Sequence, residues 1–250
     1  MTFIVSPLLK MNEQEEYAVL SKAAYDWYHG DHDLAKEELE AYGLPYRFDT
    51  EHSDANSVTI VKPDGSAVLS YRGTVLSNPS DLLADFQIVM GVHSNPWMKQ
   101  LNAMNRFEDA SRKYTQVQEK YGDVKLTGHS LGGAQALATA RRHSADAVVF
   151  NPGSSPFSEP FHYLLSNDKP QTIYTTGDDP ISYSSYLFDR KDKVILVPKK
   201  EKSGYSTHSL INFLPQRLNR QEPEYLQPVS LKTRERMSLC ELYPELCGQR

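Results

Sequence analysis

Two cysteines, Cys240 and Cys247, are the chain's whole supply of thiol, and both fall near its end. One pair can close a small loop in an oxidising compartment, but it is no disulfide framework, and free thiols are the expectation. Two thiols without a nearby histidine also make a poor zinc site, so neither metal nor cofactor is expected. Positive charge is scarce too: 27 Lys and Arg stand against 32 Asp and Glu, a net charge of −5. That is not the basic footprint of a nucleic-acid binder, and nucleic acid is excluded as a partner. No run approaches the roughly 20 apolar residues that cross a bilayer. The opening residues Met1 to Lys10 hold a short apolar run without a basic leader, too brief for a signal peptide. Taking Met1 as the start, the expectation is an intracellular protein, soluble or peripheral on membranes. Internal repeats and low-complexity stretches are lacking as well.

What is present suits one α/β domain. At 250 residues the chain can bury a proper core. Asn12 caps a helical pattern to residue 28, carried by Tyr17, Leu20, Ala24, Trp27 and Tyr28. A second helix is expected over Leu34 to Ala41. The β-rich runs Ser57–Val61 and Ala67–Tyr71 flank Pro63-Asp64-Gly65-Ser66, a strong hairpin signal. Further helices are expected from Pro79 to Met90 and from Pro96 to Tyr121, the latter amphipathic. Short strands are expected over Asp123–Thr127, Ala145–Phe150, Thr172–Thr175 and Val194–Val197. This alternation predicts a mostly parallel sheet covered by helices. Residues 1–215 form that domain with its N-terminal helices, and 216–250, rich in proline and charge, form a tail.

The most informative stretch is Gly128-His129-Ser130-Leu131-Gly132-Gly133. A hydrolytic serine must stand on a sharp, strained strand-to-helix turn, where residues two before and two after need to be glycine. A bare G-x-S-x-G arises by chance in roughly one chain of this length in fifteen, so the flanks must carry the inference. They do: Asp123–Thr127 alternates as a strand, and Leu131 to Arg142 is an alanine-rich helix former. The competing reading is an ordinary turn whose serine merely caps the helix.

A serine nucleophile needs a base, and the base needs an orienting carboxylate. In this architecture the chain order is Ser, acid, His. His162 precedes every strong acid candidate, whereas His208 follows the last strand, so His208 is the expected base. Gly177-Asp178-Asp179-Pro180-Ile181 follows a strand, where α/β sheets present functional side chains. One of the two aspartates is expected to reach His208 and the other to cap the turn. The Leu131 N–H, at a helix start, is aimed at a developing oxyanion. His129 touches the nucleophile but must point away from it, so packing is its expected role. Arg72 reads as a structural ion-pair partner.

Tyr71-Arg72-Gly73-Thr74, Gly128-His129-Ser130-Leu131-Gly132-Gly133, Asp179-Pro180-Ile181 and Thr207-His208-Ser209-Leu210 together resemble the class 3 lipase family of α/β-hydrolases. The resemblance runs over residues 56 to 215. It implies the α/β-hydrolase fold, Asp179 rather than Asp178 as the acid, and Thr74 as the second oxyanion-hole donor beside Leu131. The chain departs from the family at Phe150-Asn151-Pro152-Gly153, where a Phe-Gly-x-Pro turn is more usual.

The expectation is therefore a serine carboxylester hydrolase acting on lipid esters, an acylglycerol lipase or phospholipase, through Ser130, Asp179 and His208. A small-ester esterase or transacylase with the same triad is the alternative within enzymes, and a non-catalytic lipid- or partner-binding module the alternative outside them. The apolar segment Phe86 to Met98 reads either as a lid opening on lipid at a transient membrane contact or as a core helix. Lys199-Lys200-Glu201-Lys202 reads as a solvated loop or as a contact for an anionic headgroup.

Overall fold

Asn12 opens the first helix with a reciprocal capping box: its Oδ1 accepts from the Glu15 N–H at 2.9 Å, and Glu15 Oε2 accepts from the Asn12 N–H at 3.2 Å. Helix α1, Glu13–Tyr28, follows, with Glu13, Glu15 and Glu16 at the positive end of its dipole. Helix α2 spans His32–Ala41. The protein is described here by a computed structural model covering residues 11–74, 105–153, 169–177, 179, 182, 192–200 and 207–215.

Among the described residues, seven strands form one sheet in the order β1 to β7: Arg47–Asp49, Ser57–Val61, Ala67–Tyr71, Val124–His129, Asp146–Phe150, Thr172–Thr175 and Lys193–Leu196. The turn at residues 62–66 folds β2 back antiparallel on β3, pairing Val61 with Ala67. β1 adds an antiparallel edge, while β3 through β7 run parallel. β1 was not expected, because three residues with one apolar side chain are too few to show a period.

Successive side chains of a strand point to opposite faces, so each central strand feeds two cores. Val68, Val148, Phe150 and Tyr174 pack with α1 and α2 on one side. Leu69, Tyr71, Leu126, Val149 and Ile173 pack on the other with helix α3, Asn105–Tyr121, and helix α4, Leu131–His143. Such double burial is why the parallel strands are so apolar. The arrangement is the α/β-hydrolase fold expected from the sequence.

On the first face α1 carries a buried ion cluster. The Lys22 ammonium bonds Asp26 at 2.9 Å and Glu38 at 2.7 Å, tying α1 to α2. The same helix reaches the central strand through Ser21 Oγ, 2.9 Å from Thr127 Oγ1. It is thus fastened beside the strand that carries the Gly128–Gly133 turn.

The expected helix over 79–90 and the segment 86–98 lie outside the described residues, as do His162, Asp178, the tail 216–250 and both cysteines. The helix expected over 96–121 is described from Asn105 onward.

Candidate active site

Ser130 sits where β4 ends and α4 begins, in a backbone conformation that L-residues avoid, φ 58° and ψ −126°. Such a residue costs on the order of 1–3 kcal/mol and persists only where its surroundings impose it. Here they do. The Ser130 N–H donates to the Phe150 carbonyl at 3.2 Å, and its own carbonyl accepts from Ala134 at 3.0 Å and Gly153 at 2.9 Å. Its side chain makes no cap bond to the helix, which removes the capping-serine reading.

The two glycines have the reason the sequence suggested. A Cβ on Gly128 would stand 2.5 Å from the Gly132 carbonyl group, and one on Gly132 would overlap the Tyr71 carbonyl oxygen. Gly132→Ala therefore has to push β3 away from the turn. We expect it to cost more than about 2 kcal/mol, as an overpacked core does, and to lower activity with it. Urea midpoints check the first part, and an unchanged midpoint would contradict this packing.

The turn opens toward two residues from later in the chain. His208 Nε2 lies 2.7 Å from Ser130 Oγ, and His208 Nδ1 lies 2.7 Å from Asp179 Oδ2. An ionised carboxylate can only accept, so Nδ1 carries the ring proton and donates to Asp179. Nε2 is then a lone pair facing the Ser130 hydroxyl. Asp179 is fully buried, and its Oδ2 also accepts from Ser182 Oγ at 2.6 Å. Ser182 is a partner the sequence reading missed. Chemically this chain of bonds can lift a proton from Ser130 and hold the resulting imidazolium against a carboxylate.

Thr74 and Leu131 lie at the C-terminal ends of adjacent parallel strands, since Tyr71 pairs with Gly128. Leu131 is buried at the first position of α4, so its N–H belongs to the unsatisfied positive end of the helix. The segment leading to Thr74 is held hard. Arg72 is buried under the ring of Tyr28; its Nε donates to the Ala55 carbonyl at 2.7 Å and one amino group to the Gly73 carbonyl at 2.9 Å. The Arg72 carbonyl accepts from the Arg106 guanidinium at 3.0 Å, and Gln135 grips the Arg106 carbonyl. Arg72 is thus a clamp on main-chain oxygens, a role an ion-pair reading does not include.

His208 itself lies on a loop rather than a strand, and buried donors hold its main chain. The Thr207 carbonyl accepts from Asn151 Nδ2 at 2.9 Å and from Thr176 Oγ1 at 2.7 Å. Asn151 Oδ1 meanwhile accepts from the Thr176 N–H at 3.1 Å. Asn151 tolerates φ 38° at the end of β5, and its side-chain amide ties that strand end to the loop that carries His208. Lys200, read as a headgroup contact or solvated, instead donates its ammonium to the carbonyls of Ile211 and Leu214 behind the 3₁₀ turn Leu210–Asn212.

His129 does more than pack. Its Nε2 is 2.7 Å from the His208 carbonyl and its Nδ1 is 3.0 Å from the Tyr25 hydroxyl. Burial, reinforced by the neighbouring His208 ring, pushes its pKa down to about 3. An unfolded histidine titrates near ~6.5, so between these values the unfolded chain binds a proton that the native state refuses. Stability from this group is complete above about 6.5 and declines as pH falls, by up to about 1.4 kcal/mol per pH unit. The stability gap between the parent and His129→Gln should therefore narrow from pH 7 to pH 5 in urea titrations. A constant gap would contradict the assignment.

Among the described residues, Asp49, Glu51 and His52 are the group with metal-ligand chemistry within reach of one another. The Lys120 ammonium stands among them, 3.0 Å from Asp49 and 2.9 Å from Glu51, and the Tyr121 hydroxyl donates to Asp49 at 2.7 Å. Burial opposes ionisation of Asp49, but the bonds from Tyr121 and Lys120 prevail and hold it at about 2. The cluster already contains its cation. No helix among the described residues is long and apolar enough to cross a membrane.

No protein-family model matches the chain, and no curated protein matches it. Among solved structures, lipase II from Rhizopus niveus is similar at 15% identity, over 69% of this chain and 76% of that one, with a TM-score of 0.43. A likeness of that size carries no information on chemistry, which has to come from the site.

Proposed function

We propose that the protein is a serine carboxylester hydrolase that works through an acyl-enzyme on Ser130. The observation that carries this reading is the unbroken hydrogen-bond chain from Asp179 through His208 to a serine held in a strained turn. In this mechanism Ser130 Oγ attacks the ester carbonyl carbon while His208 Nε2 takes its proton. Asp179 keeps His208 in the required tautomer and steadies the imidazolium. The oxyanion is received by the Leu131 N–H and by Thr74. Collapse expels the alcohol, which leaves with the proton from His208. Water then attacks the acyl group by the same route, releasing the acid and restoring Ser130.

The substrate class we assign is lipid ester, an acylglycerol or a phospholipid. Support comes from the resemblance of the four motifs to class 3 lipases and from the apolar run Phe86 to Met98 after Thr74. Contact with a lipid surface would then be transient. The deciding experiment is a hydrolysis panel of tri- and diacylglycerol emulsions, phospholipid vesicles and short soluble esters, with Ser130→Ala as the blank. Long-chain hydrolysis that rises once substrate aggregates supports a lipase. Turnover of soluble esters alone makes the protein a small-ester esterase, and acyl transfer to added alcohols makes it a transacylase. Binding without any turnover makes it a non-catalytic lipid- or partner-binding module.

A further inference from the structure

We infer that His129 is a positioning residue for His208, and that Tyr25 of helix α1 sets the tautomer in which it acts. This inference rests on the serine-hydrolase reading above. A general base on a loop needs its main chain fixed, because a displacement of about 1 Å can cost on the order of 100-fold in rate. The carbonyl before His208, that of Thr207, is held by Asn151 and Thr176. The carbonyl of His208 itself is reached by His129 Nε2 at 2.7 Å.

A carbonyl oxygen can only accept, so Nε2 of His129 must carry a proton. With Nε2 protonated in a neutral ring, Nδ1 is a lone pair, and the Tyr25 hydroxyl 3.0 Å away donates to it. Both ring nitrogens are then satisfied in a residue that is 7% exposed, and the tautomer is fixed by two partners of opposite kind. The other tautomer would set a lone pair against the His208 carbonyl and break the bond. The rings of His129 and His208 also pack, with centroids 4.9 Å apart.

Tyr25 reaches the site from the other side as well. Its hydroxyl occupies the space a Cβ on Gly73 would need, directly before Thr74. One hydroxyl from α1 thereby touches the segment that leads to the oxyanion-hole candidate and orients the histidine that holds the base. This gives the N-terminal helix a part in the site that its distance in sequence conceals.

The test joins a spectroscopic and a kinetic arm on the full chain. Long-range proton–nitrogen spectra of the histidine rings should show His129 protonated at Nε2 and bare at Nδ1, unchanged from pH 6 to pH 9. An Nδ1-protonated or titrating His129 overturns the proposal. In the kinetic arm, the second-order rate of labelling by a fluorophosphonate is taken per folded molecule, counted by circular dichroism. His129→Leu should label about 10- to 100-fold more slowly than the parent. His129→Gln, whose amide can still donate to the His208 carbonyl, should recover most of that loss, and Tyr25→Phe should lose several-fold while His129 populates both tautomers. A His129→Leu rate equal to the parent's overturns the positioning role, as does equal loss in the Leu and Gln variants. Ser130→Ala separates the two failures: if it labels as fast as the parent, the serine-hydrolase reading falls and takes this inference with it.

Discussion

Ser130→Ala should remove essentially all turnover, about six orders of magnitude in comparable triads, while the protein remains folded. Alanine is smaller than serine and has the same trouble with φ 58°, so the turn bears the same strain with or without the hydroxyl. What remains is the contribution of the oxyanion donors and of substrate binding, on the order of 10³–10⁴ over the reaction in water. Ser130→Gly makes a sharper companion. Glycine accepts positive φ freely, so this variant should be inactive yet more stable, by roughly 1 kcal/mol after the added freedom of the unfolded chain is counted. Ester hydrolysis and urea unfolding on the two variants check both halves. Activity within a few-fold of the parent in either one would end the serine mechanism, and a destabilised Ser130→Gly would mean the turn is not strained.

Asp179→Asn should lower kcat by about four orders of magnitude with the geometry retained. The cause is a proton in the wrong place. An amide that turns its NH₂ toward His208 forces Nδ1 to accept, which moves the ring proton to Nε2 and blocks the lone pair that faces Ser130. The carboxylate is fully buried and also serves Ser182, so some stability is lost too. Neutral isosteric replacement leaves no buried charge behind, and the fold should survive it. Asp178→Asn is the control: it should leave kcat nearly intact, since Asp179 is the aspartate that touches His208. Greater damage to kcat from Asp178→Asn would reverse the choice between the two acids.

Much of this was legible in the chain because the relevant signals are local. β-rich runs either side of a turn signal marked β2 and β3, a period of two marked β4, Asn12 marked the start of α1, and glycines placed two residues either side of Ser130 marked the turn. Each of these is decided within about one turn of chain. The three-residue β1 was too short to show a period. The contacts of His129 were not legible either, because Tyr25 and His208 lie 104 and 79 residues away from it in sequence. Asn151 showed only as a departure from Phe-Gly-x-Pro, which says that something differs without saying what the amide would hold. The hold of Arg72 and Lys200 on main-chain carbonyls was not legible, because a cation's preference for such oxygens leaves no pattern in sequence. The local chemistry of the nucleophile was readable, and the scaffold that holds its base was not.

Mass spectrometric mapping of a fluorophosphonate adduct identifies the nucleophile without any knowledge of the substrate. One adduct per chain is expected, on the peptide that contains Ser130, formed faster on the native protein than on the urea-unfolded one and absent in Ser130→Ala. An unlabelled native protein, or an adduct on any other residue, would contradict Ser130 as that nucleophile.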